Sequence, residues 1–189
     1  MAVVLQEIPA GNCGECSGGI VRFAAVDGAN VDLAGIVIDA DKRVTTMAML
    51  VANQVVEYVP IDDNSAKYDS TGERSGNVHR SNQELFGKFP CLTNDKVLAG
   101  ELLKDACWLV IMVEYSNGMC AMQGIDAVPD GAGGYKAVWS KTKAKATISA
   151  FSDTQDNEDR LEVTINSVSR NVLLPTVTTS LDLDVFLGL

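Results

Sequence analysis

Histidine is the scarcest resource for chemistry here, with one residue, His79, in 189. It stands in a polar stretch with no Cys or Ser nucleophile motif beside it. That removes most histidine-dependent hydrolase schemes and any multi-histidine metal site. The chain also lacks a Gly-x-Ser-x-Gly elbow, a P-loop and a dinucleotide fingerprint. Aromatic residues make up 6% with two tryptophans, too few to suggest a carbohydrate-stacking platform. No apolar run approaches the ~20 residues a membrane helix needs. Residues 1–7 have no basic n-region and break their apolar run early, so no secretory signal is expected. Positive charge is scarce as well: 15 Lys and Arg against 25 Asp and Glu give a net charge of −10. This disfavours sequence-independent nucleic-acid binding and anionic membrane surfaces, both of which rest on cations. It is compatible with a surface past which nucleic acid slides without sticking.

Five cysteines, an odd number, sit at Cys13, Cys16, Cys91, Cys107 and Cys120. Cys107 and Cys120 fall on predicted strands and read as small buried hydrophobes. Cys13 and Cys16 lie in a glycine-rich stretch with no second pair to complete a zinc ribbon. Gly18, Gly19 and the β-branched strand that follows argue against the helix a thioredoxin-like pair needs. A plain glycine-rich loop is expected there, ahead of a local disulfide or a structural metal contact, with redox catalysis last.

What the chain does contain is a legible architecture. Apolar residues at 47% and charged residues at 21% fit one globular domain spanning 1–189. Residues 93–106 predict a helix, with Thr93, Asn94 and Asp95 as capping side chains. Residues 107–113 are too apolar and β-prone to be anything but a buried strand. Ser116-Asn117-Gly118 then signals a hairpin and a return strand. Further strands are expected at 3–8, 20–26, 35–39, 44–50, 54–61 and 79–89. A long pair is expected at 135–151 and 161–169, where Leu161, Val163 and Ile165 alternate with polar residues. Lys141, Lys143 and Lys145 share one face of that pair, either as solvated gatekeepers or as the complement of an acidic neighbour. The joining loop holds Asp153, Asp156, Glu158 and Asp159. It lacks the ligand spacing and central glycine of a calcium loop, so a solvated hairpin loop is expected.

Two segments point outward. Residues 62–77 read as a long polar interaction loop containing Tyr68. The apolar tail at 177–189, with Leu181, Leu183, Val185, Phe186 and Leu187, should either return as a last strand or add to a neighbour's sheet edge. Together with Val3 and Val4, these are the candidate subunit contacts. No catalytic, cofactor-binding or metal-binding residue is assigned, and no enzyme activity or cofactor is expected.

The order of elements, with a strand-rich N-terminal half, polar loop, short helix, strand, Asn-Gly hairpin and later long hairpin, resembles bacteriophage tail tube proteins and their type VI secretion relatives. More locally, residues 84–89, the helix 94–106 and the run from Val110 through Gly118 to Ile125 resemble virion proteins of phages infecting Bacteroidetes. The resemblance implies a mainly β fold, a β-sandwich or half-barrel with one short flanking α-helix. It implies a homo-oligomer of stacked rings, commonly hexameric, whose sheets join into a barrel with an acidic lumen that DNA traverses without specific binding. Other phage tail or neck proteins would be partners, and the virion, assembled in the host cytoplasm, the location. The alternatives are another virion component (neck, head-completion or capsid-decoration protein) and a soluble β-sandwich binding module or hydrolase.

Overall fold

A computed structural model describes residues 19–52, 54–58, 66–75, 78–90, 93–106, 108–149, 160–171, 174–177 and 179–188. The chain is mainly β, with three antiparallel sheets and two short helices among these residues. The central sheet has the order β13-β8-β7-β1-β4, from β1 (Ile20–Asp27), β4 (Val56–Tyr58), β7 (Leu109–Tyr115), β8 (Cys120–Gln123) and β13 (Leu174–Pro175). A short-stranded sheet has the order β3-β2-β10-β9, from β2 (Val37–Ile38), β3 (Val44–Thr46), β9 (Ile125–Pro129) and β10 (Tyr135–Trp139). A long-stranded sheet has the order β11-β12-β6-β5, from β5 (Ala66–Ser75), β6 (Val78–Pro90), β11 (Lys141–Ser149) and β12 (Arg160–Ser169). None of them closes into a barrel.

The central sheet is apolar on both faces because both are covered. On β7, period-two alternation sends Val110 and Met112 into one core and Leu109, Ile111 and Val113 into another. On β1, Ala24 and Val26 go one way and Phe23 and Ala25 the other. The first core lies under the short-stranded sheet, with Ile38, Val44, Ile125 and Ala127. The second lies under the long-stranded sheet, with Leu85, Phe89, Leu161, Val163 and Ile165. The result is three β layers. The continuous apolar run of β7 follows from its place in the middle one.

Helix α1 (Asn94–Asp105) forms where expected. The Thr93 side chain accepts from the Lys96 amide at 3.3 Å, with Asp95 in the first turn and Lys104 in the last. Gly100 lets it lie against the long-stranded sheet, since a Cβ there would sit 2.9 Å from Leu161 and 3.2 Å from Ala146. The Asn117-Gly118 turn also holds, with Gly118 at φ 78°. The strand predicted from residue 107 begins at Leu109. Trp108 occupies a bend, its indole lying where a Cβ on Gly28 would be.

Three expectations need correction. Residues 135–151, read as one strand, divide at Ser140 into β10 of the short-stranded sheet and β11 of the long-stranded one. Residues 66–75, read as part of a polar loop, form β5 and pair with all of β6 from Val78 to Gly87. The backbone ladder carries this strand. Its small polar side chains gave no hydrophobic alternation to read. The tail is neither a strand nor an extended arm: Asp182 caps α2 (Leu183–Leu187), accepting from the Val185 amide at 2.8 Å. The Leu-Asp-Leu-Asp alternation mimics a strand, but its first Asp, Asp182, opens a helix instead. Residues 62–65 and 76–77, the 3–8 strand and the 152–159 loop lie outside the described residues, as do Cys13, Cys16, Cys91 and Cys107.

Candidate functional site

Alternation on the long-stranded sheet buries Ser81, Gln83, Leu85, Leu161, Val163 and Ile165 and turns the other half of each strand to solvent. The strands of this sheet are where the chain concentrates its cations, with Lys67, Arg80, Lys88, Lys143, Lys145 and Arg160 turned outward. The four strands hold eight of the 15 Lys and Arg residues and only four of the 25 Asp and Glu. Backbone register arranges them in rows: Asp69, Glu84, Asn166 and Lys143 in one, and Lys67, Phe86, Thr164 and Lys145 in the next. Twist makes the face a shallow depression of about 560 Å³, with Asp69, Glu84, Lys143 and Asn166 on its walls.

Charge is graded across the face. Asp69 and Glu84 stand directly opposite each other on neighbouring strands, an unfavourable pairing. Lys67 relieves it, pairing with Asp69 at 2.5 Å, and the carboxylate raises the lysine's pKa. Arg160 pairs with Glu162 at 2.7 Å. On β11 the pattern is different: Lys141, Lys143 and Lys145 stand opposite Val168, Asn166 and Thr164, with no acid across from any of them. β11 and β5 are the two edges of this sheet, nine and ten residues long, and on its outer side neither pairs with a described strand.

Beneath the sheet a buried polar seam joins it to the central one. Gln123 donates to the Ser167 hydroxyl at 2.9 Å, Ser167 donates to Gln83 Oε1 at 2.9 Å, and Gln83 donates to the Asn171 carbonyl at 2.9 Å. Asp126 accepts from the Ser169 hydroxyl and from the Arg170 amide. Gln83, Gln123, Asp126, Ser167 and Ser169 are all buried, so the seam fixes how the layers register.

A second charged cluster fastens the C-terminal helix. Arg22 reaches Glu114 at 2.5 Å, Asp184 at 2.7 Å and Glu57 at 3.0 Å, and the hydrogen bond it donates to Glu114 leads the set that raises its pKa. Cys120 is buried, its thiol pushed up mainly by burial, which leaves it a core residue and a poor nucleophile. Among the described residues no group of three or more His, Cys, Asp or Glu side chains is placed to hold a metal ion. No helix among them is long and apolar enough to cross a membrane.

The candidate contact residues are not brought together. Leu181, Leu183 and Phe186 are buried in the chain's own first core. Val185 is exposed and Leu187 half-buried. Tyr68 is half-buried against the second core, its hydroxyl without a hydrogen-bond partner among the described residues. Val3 and Val4 lie outside the described residues. The sequence did not show that β5 and β11 are the two edges of their sheet among the described strands. The lysine alternation on β11 was visible, but its significance depends on which strand lies at an edge. Neither a protein-family model, nor a curated protein, nor a solved structure matches the chain.

Proposed function

We propose that this chain is a structural subunit, not an enzyme, that closes into rings and stacks as the tail tube of a phage virion, a conduit for DNA. The observation that carries this reading is the topology of the long-stranded sheet. It has four strands, all antiparallel, so its edge strands β5 and β11 run in opposite directions. Rotating a copy about a ring axis keeps strand directions, so β11 of the next copy meets β5 antiparallel and the sheet continues without a break. A head-to-tail contact of this kind closes into a ring when the rotation closes. One face of the sheet is already covered by the central layer, so the solvent face is the one left to line a channel. Its charges are mixed rather than acidic, a departure from the lumen that the resemblance implies.

Negative-stain electron microscopy of the purified protein over a concentration series tests this. Rings or tubes with a central channel are expected. Isolated small particles at every concentration would overturn the ring reading and favour a virion component that needs a partner.

A further inference from the structure

The lysines of β11 admit two opposite roles. Lysines on an edge strand commonly block edge-to-edge pairing. They can equally be half of a contact whose other half is acidic. The two edges of this sheet differ in a way that decides between them. The solvent-facing residues of β5 are Lys67, Asp69, Thr71 and Glu73; on β11 they are Lys143, Lys145 and Thr147, with Lys141 at the next position of the same alternation. Asp69 and Lys145 are both exposed, Asp69 while paired with Lys67 on its own strand.

Antiparallel pairing of these edges allows only a few registers that keep the same residues on the solvent face, since a one-residue slip reverses every side chain. Setting Asp69 opposite Lys145 places Thr71 opposite Lys143, Glu73 opposite Lys141 and Lys67 opposite Thr147. Both acids then face lysines and no like charges meet. Slipping by two in one direction keeps one attractive pair, Asp69 with Lys143, but puts Lys67 against Lys145, a repulsive pair. Slipping by two in the other keeps a single attractive pair, Glu73 with Lys143, and sets Asp69 against Thr147. One register therefore stands out on charge alone.

We propose that the partner of the β11 edge is the β5 edge of a second copy of this chain, joined in the register that sets Lys145 against Asp69 and Lys141 against Glu73. This rests on the ring reading above and names its contact. It also accounts for the lysines in a channel: each acid of the incoming edge neutralises one, leaving fewer cations to hold a passing phosphate chain.

Charge reversal tests it, with assembly followed by sedimentation velocity at low salt and the folded monomer checked by circular dichroism. Lys145→Glu is expected to raise the concentration for half-assembly about three- to tenfold. Adding Asp69→Lys should restore the wild-type value. Lys143→Glu, which faces Thr71 in this register, should have a smaller effect and should not be rescued by Asp69→Lys. If Lys145→Gln lowers the half-assembly concentration, the lysines are gatekeepers and the proposal is overturned. If the wild type assembles and Asp69→Lys fails to rescue Lys145→Glu, this contact is wrong while the ring stands. If the wild type never assembles, both fall.

Discussion

Tyr68, at the scale of single residues, carries an unresolved debt. Its ring packs on the second core beside Tyr58 and Tyr115, yet its buried hydroxyl has no partner among the described residues. A buried polar atom left unpaired loses its hydration for nothing. Tyr68→Phe should therefore raise unfolding free energy by about 1 kcal/mol at neutral pH, read from urea midpoints at constant slope. The same burial has a consequence in alkali. It pushes the Tyr58 and Tyr115 phenols up to about 12, and Tyr68 further in the same direction, from about 10 in an unfolded chain. Between those values the unfolded chain has given up protons that the folded chain keeps, so stability falls as pH rises from about 10 towards 12. The Phe variant should lose less stability over that window than the wild type. An unchanged slope in both would mean the ring is wetter than its packing indicates. Glycine carries a separate constraint at Gly124, where φ is 97° and a Cβ would lie 2.1 Å from the Leu109 carbonyl oxygen. No other residue fits that turn between β8 and β9.

Among the elements, α2 shows how five residues can matter. Leu183 and Phe186 are fully buried, Leu181 leads in beside them, and Arg22 holds Asp184 from outside. Phe186→Ala should cost about 3–5 kcal/mol, and Asp182→Ala, which removes only the cap, about 1 kcal/mol. Both are measurable by chemical denaturation. A Phe186→Ala variant as stable as the wild type would mean that the helix is not docked. This element also marks where reading the sequence reaches its end. Helix α1, the β7–β8 hairpin and the β11–β12 pair were legible because capping residues, Asn-Gly and clean alternation are local signals. Tail and β5 were not, for opposite physical reasons. In the tail, a strand-like alternation is overruled by a capping Asp and by an apolar cleft that only the folded core provides. In β5, a ladder to a long neighbouring strand holds residues such as Asp69, Ser70 and Thr71 that have little strand preference of their own. The charge grade across the long-stranded sheet stayed hidden for a related reason: it joins residues 66–90 to residues 141–169, and no window of sequence spans both.

For the whole molecule, the decisive feature is a middle layer that serves two cores at once. Val110 and Ile111 are neighbours in sequence and belong to different cores, so neither core can be lost without exposing a face of the same sheet. Heat should therefore unfold the chain in one transition, with calorimetric and van't Hoff enthalpies in agreement. Two resolved transitions would show that the cores melt independently. A layer with no wet side also shapes how the chain emerges from a ribosome. β1 is made early and has apolar residues on both faces, but β7, its long partner, ends its synthesis almost 90 residues after β1 does. At the usual 5–20 residues per second this delay is on the order of 4–18 s. Through that interval a sticky, two-sided strand waits with its principal partner unmade. Newborn chains are then exposed to one another, and high expression should send them to inclusion bodies unless a holding chaperone shields β1 until its partner arrives.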